Sequence, residues 1–298
     1  MSNFKQNFFD NGFITKLRVL SENEASNICD NYLKYLSSGI NKAESIEHKT
    51  KSHLYFPWAN EIIRNNRILE YVEQILGPNF VCWNSVIFHK YPSSKNFVSM
   101  HQDQNYWGII HDKAISVQLA ISESKIENGC LRILPSSHRS DYSHKDLIKK
   151  DNMLARGQSI SNDDLNQDKL KNIELDPGEC VLFHGNIVHG SMPNKSNKHR
   201  FCFTIRFLTT DNKIKKNLYY NHATLVKGTD QYNFFQKEDS LNNSNINKLK
   251  ALHKQLVISQ IEKYVNLKLR NNIFTKIVMF FLKFEPIRSF YYKVVNKA

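Results

Sequence analysis

The chain lacks the marks of several protein classes. It has no CxxC pair, and its five cysteines, Cys29, Cys82, Cys130, Cys180 and Cys202, are odd in number and widely spaced. Reduced thiols in a cytoplasm are therefore expected, not a disulfide framework. No stretch approaches the roughly 18 apolar residues of a spanning helix, and the opening MSNFKQNFFDNGF carries no signal-peptide apolar run. There is no internal repeat. Neither a helix-turn-helix nor a finger pattern accompanies the scattered basic residues, so no nucleic-acid partner is expected.

What is present is enough to build a core. Of 298 residues, 41% are hydrophobic and 12% aromatic, which excludes a disordered polymer. Net charge is +13, from 41 basic and 28 acidic residues. Such a balance suits nucleic acid, an anionic membrane surface or an anionic small molecule. Frequent Lys and Asn are also the mark of an AT-rich genome, so charge alone assigns no partner.

Patterning separates helix from strand. Residues 4–20 are mixed apolar and aromatic around the turn Asp10-Asn11-Gly12. Ser21 followed by Glu24 predicts a capping box and a helix to about residue 37. Residues 59–76 predict a second helix, stopped by Gly77-Pro78. From Phe80, VCWNSVIFHKYP reads as a strand, and shorter ones follow near 97–101, 114–122, 130–134, 173–175, 179–184, 187–191 and 200–209. Many short strands between turns imply a mainly β fold with flanking helices, a sandwich or jelly roll. Residues 139–172 are polar and aperiodic, as a functional lid or a disordered loop would be. Residues 211–250 are again polar, and 251–282 read as helical.

Two segments carry metal-binding chemistry. In FVSMHQDQNYWG, His101 and Asp103 stand two apart, which on a strand puts both side chains on one face. VLFHGNIVHGSMPN supplies His184 and His189. Two imidazoles and one carboxylate leave one side of an octahedral ion open, as non-haem Fe(II) oxygenases require. Eleven residues past His189, Arg200 opens the run FCFTIRF, where a guanidinium suits a carboxylate; Arg206 is its rival. Tyr106 and Trp107 either line a pocket or belong to the core.

Together these segments resemble the phytanoyl-CoA dioxygenase family of Fe(II)/2-oxoglutarate oxygenases, over about residues 4–210. FFDNGFITKLRVLSENEA is similar to the family's entry into its first helix, HQD to its metal motif and ENGCLRILPSSHR to its strand-turn-strand signature. DPGECVLFHGNIVHGSMPNKS resembles the distal histidine segment. The likeness implies a double-stranded β-helix, a cupin-like jelly roll, in residues 1–210, with N-terminal helices and a 139–172 lid. Residues 211–298 would be a basic, partly helical extension. It implies iron held by His101, Asp103 and His189, since His-Gly-Ser matches at His189, and leaves His184 a neighbouring residue. It also implies O2 as oxidant, 2-oxoglutarate gripped by Arg200 and aided by Ser191, and succinate and CO2 as co-products.

Departures matter too. Met100 and Gln118 stand where many relatives carry Trp; Gln118 contacts 2-oxoglutarate or the substrate, or is a satisfied sheet residue. Halogenating relatives have a small residue in place of Asp103, so hydroxylation of a small molecule is implied, with the positive charge pointing to an anionic one. A cupin-like metal-binding protein or isomerase without O2 chemistry is the competing class. The tail 261–298 carries a net +6. It suits either peripheral contact with an anionic membrane or packing against the domain.

Overall fold

In the computed structural model the described residues are 3–39, 49–110, 113–146, 149–154, 157–214, 221–241 and 245–269, with side chains to 259. The tail at 261–298 therefore lies outside the residues whose side chains are described.

Helix α1 (Asn3–Asn11) turns at Gly12 into strand β1 (Phe13–Arg18). Helix α2 (Glu22–Ser37) begins with the capping box: Ser21 accepts from the Glu24 N–H, and Glu24 accepts from the Ser21 N–H. The single helix expected over 59–76 is two, α3 (Pro57–Ile62) and α4 (Asn66–Leu76). Asn65 breaks them: it is extended, and its side chain caps a new helix by accepting from the Ile68 N–H.

The β core is two sheets. Its strands are β2 (Phe80–Lys90), β3 (Val98–His101), β4 (Ala114–Ala120), β5 (Leu131–Ile133), β6 (Lys145–Asp146), β7 (Gln158–Ser159), β8 (Lys171–Ile173), β9 (Glu179–His184), β10 (His189–Ser191), β11 (Arg200–Thr209), β12 (His222–Lys227) and β13 (Gln236–Lys237). The major sheet has the order β1-β9-β4-β11-β2-β12-β13, the minor sheet β3-β10-β5-β8, and β6 pairs with β7. This crossed order is that of the jelly roll expected from the sequence.

Strand β11 shows how the sequence divides labour between faces. Phe201, Phe203, Ile205 and Phe207 enter the main core under α2 to α4, with Tyr32, Ile68 and Val72. The alternate residues Arg200, Thr204 and Arg206 face the other way, into a cleft.

The sheet continues past residue 210. Strand β12 pairs with β2, and Leu249 and Leu256 of helix α6 (Ile246–Leu269) pack on Leu54. Behind β12, Glu238 accepts from Lys51 Nζ at 2.5 Å and from Thr224 Oγ1 at 2.8 Å, and lies 3.0 Å from His53 Nε2. All four residues are buried. Burial alone would raise the Glu238 pKa, but the Lys51 charge and the His53 contact outweigh it and hold it down to about 2.

Glu238→Ala would strand the Lys51 charge and is expected to cost about 3–5 kcal/mol, read by denaturant unfolding. The wild type should also be acid-sensitive. Burial lowers the pKa of His53, of His89 to about 3 and of His253 to about 4. Unfolded imidazoles titrate near about 6.5. The unfolded chain then binds more protons below that pH, so stability falls as pH drops from about 6.5 toward 3. Glu238 adds a loss in the same direction: its stabilisation is complete above about 4.5 and gone near 2. Circular dichroism melts at stepped pH check the sign; a protein more stable at pH 5 than at pH 7 would contradict it.

All five cysteines are unpaired. No helix among the described residues is long and apolar enough to cross a membrane.

Candidate metal centre and co-substrate pocket

Strands β3 and β10 are antiparallel neighbours, and His101 lies directly opposite His189. That cross-strand pairing brings the two rings to a centroid distance of 4.3 Å. Asp103 arrives differently from the strand expectation. Strand β3 ends at His101, and Asp103 has helical backbone angles at the start of a short helix, α5 (Gln104–Trp107). The turn, not the pleat, swings its carboxylate to the imidazoles: Oδ1 is 3.4 Å from His101 Nε2, and Oδ2 is 3.8 Å from His189 Nε2. One ligand atom from each of the three buried residues lies within 4.8 Å of the others.

The far ring nitrogens fix these atoms. His101 Nδ1 donates to the Ser99 and His189 carbonyls at 2.9 and 3.1 Å, and His189 Nδ1 to the Ile187 carbonyl at 3.0 Å. Each Nε2 is thereby left as a lone-pair donor toward the centre. Burial, then the neighbouring His101, push the His189 pKa down to about 4, so the ring is neutral and ready to ligate. Burial alone would raise the Asp103 pKa. The Arg206 guanidinium and both histidines outweigh it and hold the carboxyl well below the usual range. Two imidazoles, one carboxylate and an open cleft fit a divalent iron.

Gln102, between the two ligands, is fully buried. Its side chain donates to the Ser140 and Asn186 carbonyls at 2.7 and 2.8 Å and accepts from the Tyr142 N–H, while its own N–H donates to His144 Nε2 at 2.9 Å. The 139–172 segment is thus tied to the turn that carries Asp103. Further along it covers the free edge of β3, where the Met153 and Ile160 N–H groups donate to the Phe97 and Met100 carbonyls. Ile160, Leu165 and Leu170 pack there on Leu134 and Val188. Gln102→Leu is expected to raise the Fe(II) dissociation constant about 10-fold or more, as loss of a ligand's supporting contacts does, and to speed protease cleavage within 140–160. An unchanged metal titration would refute that link.

The cleft between the sheets has about 380 Å³ of empty space. Phe88, Val98, Leu131 and Phe183 give it apolar walls. At one end lies Arg200, only 2% exposed. Its Nε donates to Ser124 Oγ at 3.3 Å, and its Nη2 is buried without a partner. An unpaired guanidinium nitrogen is costly in a dry site and fits a carboxylate that arrives from outside. Ser191 lines the cleft and accepts from Lys90 Nζ at 2.7 Å; Lys90 also donates to the Met192 carbonyl. Burial, then the Arg200 charge, push the Lys90 pKa down to about 6. Gln118 lines the cleft with its Nε2 unpartnered.

The remaining candidates take different places. Arg206 lies 3.3 and 3.4 Å from the two Asp103 oxygens and 5.0 Å over the Trp107 ring, next to the metal group and not beside Arg200. His184 accepts from the Asn186 N–H and is outside the metal group. Trp107 belongs to a core cluster with Trp83, and the Tyr106 hydroxyl donates to Asp146; neither lines the cleft. Sequence reading missed Lys90 and Gln102. A lysine inside the apolar strand run VIFHKY was the one available sign of the former.

Comparison with known proteins identifies the family. The phytanoyl-CoA dioxygenase (PhyH) family profile matches residues 23–202. The chain belongs to that family of Fe(II)/2-oxoglutarate oxygenases. The human peroxisomal phytanoyl-CoA dioxygenase is 28% identical over 194 residues, 59% of this chain and 54% of that protein. A probable alpha-ketoglutarate-dependent hypophosphite dioxygenase of Stutzerimonas stutzeri is 28% identical over 160 residues, 53% of this chain and 56% of that protein. The chain spans a little over half the length of these two curated relatives. Among solved structures, the apo non-heme monooxygenase ThoJ superposes with a TM-score of 0.76 at 25% identity, covering 89% of this chain and all of that one. CytC3 with Fe(II) and alpha-ketoglutarate shares the fold, with a TM-score of 0.59 at 22% identity over 80% of this chain and 92% of that one.

Proposed function

We propose that this chain is an Fe(II)- and 2-oxoglutarate-dependent dioxygenase that hydroxylates a small anionic molecule in the cytoplasm, releasing succinate and CO2. One observation carries the reading: a buried His-Asp-His group opens onto a cleft that also holds an unpaired, buried arginine nitrogen. Iron and 2-oxoglutarate, bound together, supply the activation of O2.

The chain's own residues do the rest. His101, Asp103 and His189 hold the metal from one side and leave the cleft side free. Arg200 takes the far carboxylate of 2-oxoglutarate, with Ser191, oriented by Lys90, beside it. Arg206 keeps Asp103 ionised. The apolar walls exclude water from the reacting centre. Asp103 occupies the position that halogenating relatives leave small, which supports an oxygenated product and not a chlorinated one. The two curated relatives are named for a coenzyme A ester and for hypophosphite, both anionic, which supports an anionic substrate here.

The test is made in two steps. Under nitrogen, Fe(II) and 2-oxoglutarate together should give a weak visible absorption band. In air, a screen of anionic small molecules should find one that raises succinate formation above the uncoupled rate. No band, together with metal binding that ignores 2-oxoglutarate, would favour a cupin-like protein without O2 chemistry.

A further inference from the structure

The cleft is polar at a second place, beside the metal and away from Arg200. On strands β11 and β4, Thr204 stands opposite Gln118, and Arg206 opposite Ser116. Each of these four neighbours has a buried side-chain atom without a partner: Thr204 Oγ1, Gln118 Nε2, Arg206 Nε and Ser116 Oγ. Thr204, Gln118 and Arg206 line the cleft. Cross-strand partners are about 5 Å apart and alternate residues of a strand about 7 Å apart, so the four span an area the size of one small oxyanion. Buried polar atoms are nearly always paired, and four orphans on one patch point to something that arrives from outside.

Charge says what arrives. Resting on the functional reading above, 2-oxoglutarate cancels the two charges of iron, and Arg206 cancels Asp103. Arg200 then leaves the cleft with one positive charge, since Lys90 has its pKa pushed down to about 6. Arg206 is only half used. Its Nη2 faces Asp103, while its Nε is free and its guanidinium carbon sits over the Trp107 ring. Arg200 and Arg206 share a strand face six residues apart, about 20 Å of backbone. A co-substrate gripped at Arg200 thus leaves the Arg206 patch to another ligand.

We propose that Arg206, Thr204, Gln118 and Ser116 form the subsite that binds the anionic group of the substrate, a single carboxylate or an oxyanion of like charge. The three neutral groups and the arginine Nε point hydrogen-bond donors at its oxygens. Gln118, where many relatives carry Trp, then belongs to the substrate and not to 2-oxoglutarate.

The experiment uses the full chain loaded with Co(II) and N-oxalylglycine, an unreactive stand-in for 2-oxoglutarate. Acetate and hypophosphite are titrated in, with neutral acetamide as control. Binding is read from the Co(II) visible spectrum and from tryptophan fluorescence, since Trp107 lies under Arg206. Both anions should saturate and acetamide should not. Arg206→Met should raise the acetate dissociation constant about tenfold or more, the scale of a lost charge-assisted contact. Thr204→Val and Gln118→Leu should each raise it less. Arg206→Lys should recover part of the loss and serves as the arginine test if the methionine variant does not hold Co(II). Equal acetate binding in wild type and the Arg206 variants, or no saturation in the wild type, overturns the proposal, as would be the case if the patch held only water. If Arg206→Met instead still holds Fe(II) but loses the Fe(II)–2-oxoglutarate band, the arginine serves the co-substrate and the proposal falls while the dioxygenase reading stands. No band in the wild type would remove that reading itself.

Discussion

His101→Ala, Asp103→Ala and His189→Ala should each abolish turnover and weaken Fe(II) binding, while the protein remains folded. The three side chains meet at one point and project into a cleft, not into the main core, so their loss leaves the sheets intact. Loss of a mere supporting contact to a metal ligand costs about 10–100-fold, so loss of a ligand should exceed about 100-fold in affinity. Fe(II) titration beside thermal denaturation separates the two effects. His184→Ala should be milder, because that ring supports the turn at Asn186 and packs by Phe8 and His138, outside the metal group. A His189→Ala protein with full activity would sink the assignment.

Arg200→Ala should raise the 2-oxoglutarate KM by about 30-fold or more, since a desolvated charge-assisted pair is worth about 2–5 kcal/mol. Its effect on stability should run the other way from that of an ordinary core residue. With no co-substrate bound, Arg200 is a buried cation with an unpaired nitrogen, opposite Lys90. Its removal should leave the Tm of the ligand-free protein unchanged or slightly raised. A large fall in Tm with little change in KM would make Arg200 structural. A KM that rises in Arg206→Ala but not in Arg200→Ala would reverse the two arginines.

Much of this was legible in the sequence because it is local and periodic. The alternation in RFCFTIRFLT fixes which residues of β11 face the core and which the cleft, and the Ser21–Glu24 box marks its helix. The His101 and His189 segments could be placed by motif. What escaped depends on partners far along the chain. Strand β12 is half exposed and flanked by polar residues, so its burial against β2 leaves no pattern. Lys51 and Glu238 read as surface charges until the fold joins them. Asp103 meets the two histidines through a turn, and not through the strand pleat that the spacing suggested. The unpaired atoms of Thr204 and Ser116 are defined only by what fails to surround them.

The Lys51–Glu238 pair also sets a constraint on synthesis. Its members are 187 residues apart, and at about 5–20 residues per second the ribosome needs roughly 10–40 s to deliver Glu238 after Lys51. Strand β2 waits more than half as long for β11, its long antiparallel neighbour. The N-terminal helices thus emerge well before the sheet surface they cover. During that interval a cell must keep the apolar faces of α2, α4 and β2 from other nascent chains. Chaperone demand should accordingly track translation speed through residues 90–240, and slow codons there should lower soluble yield without changing the finished protein.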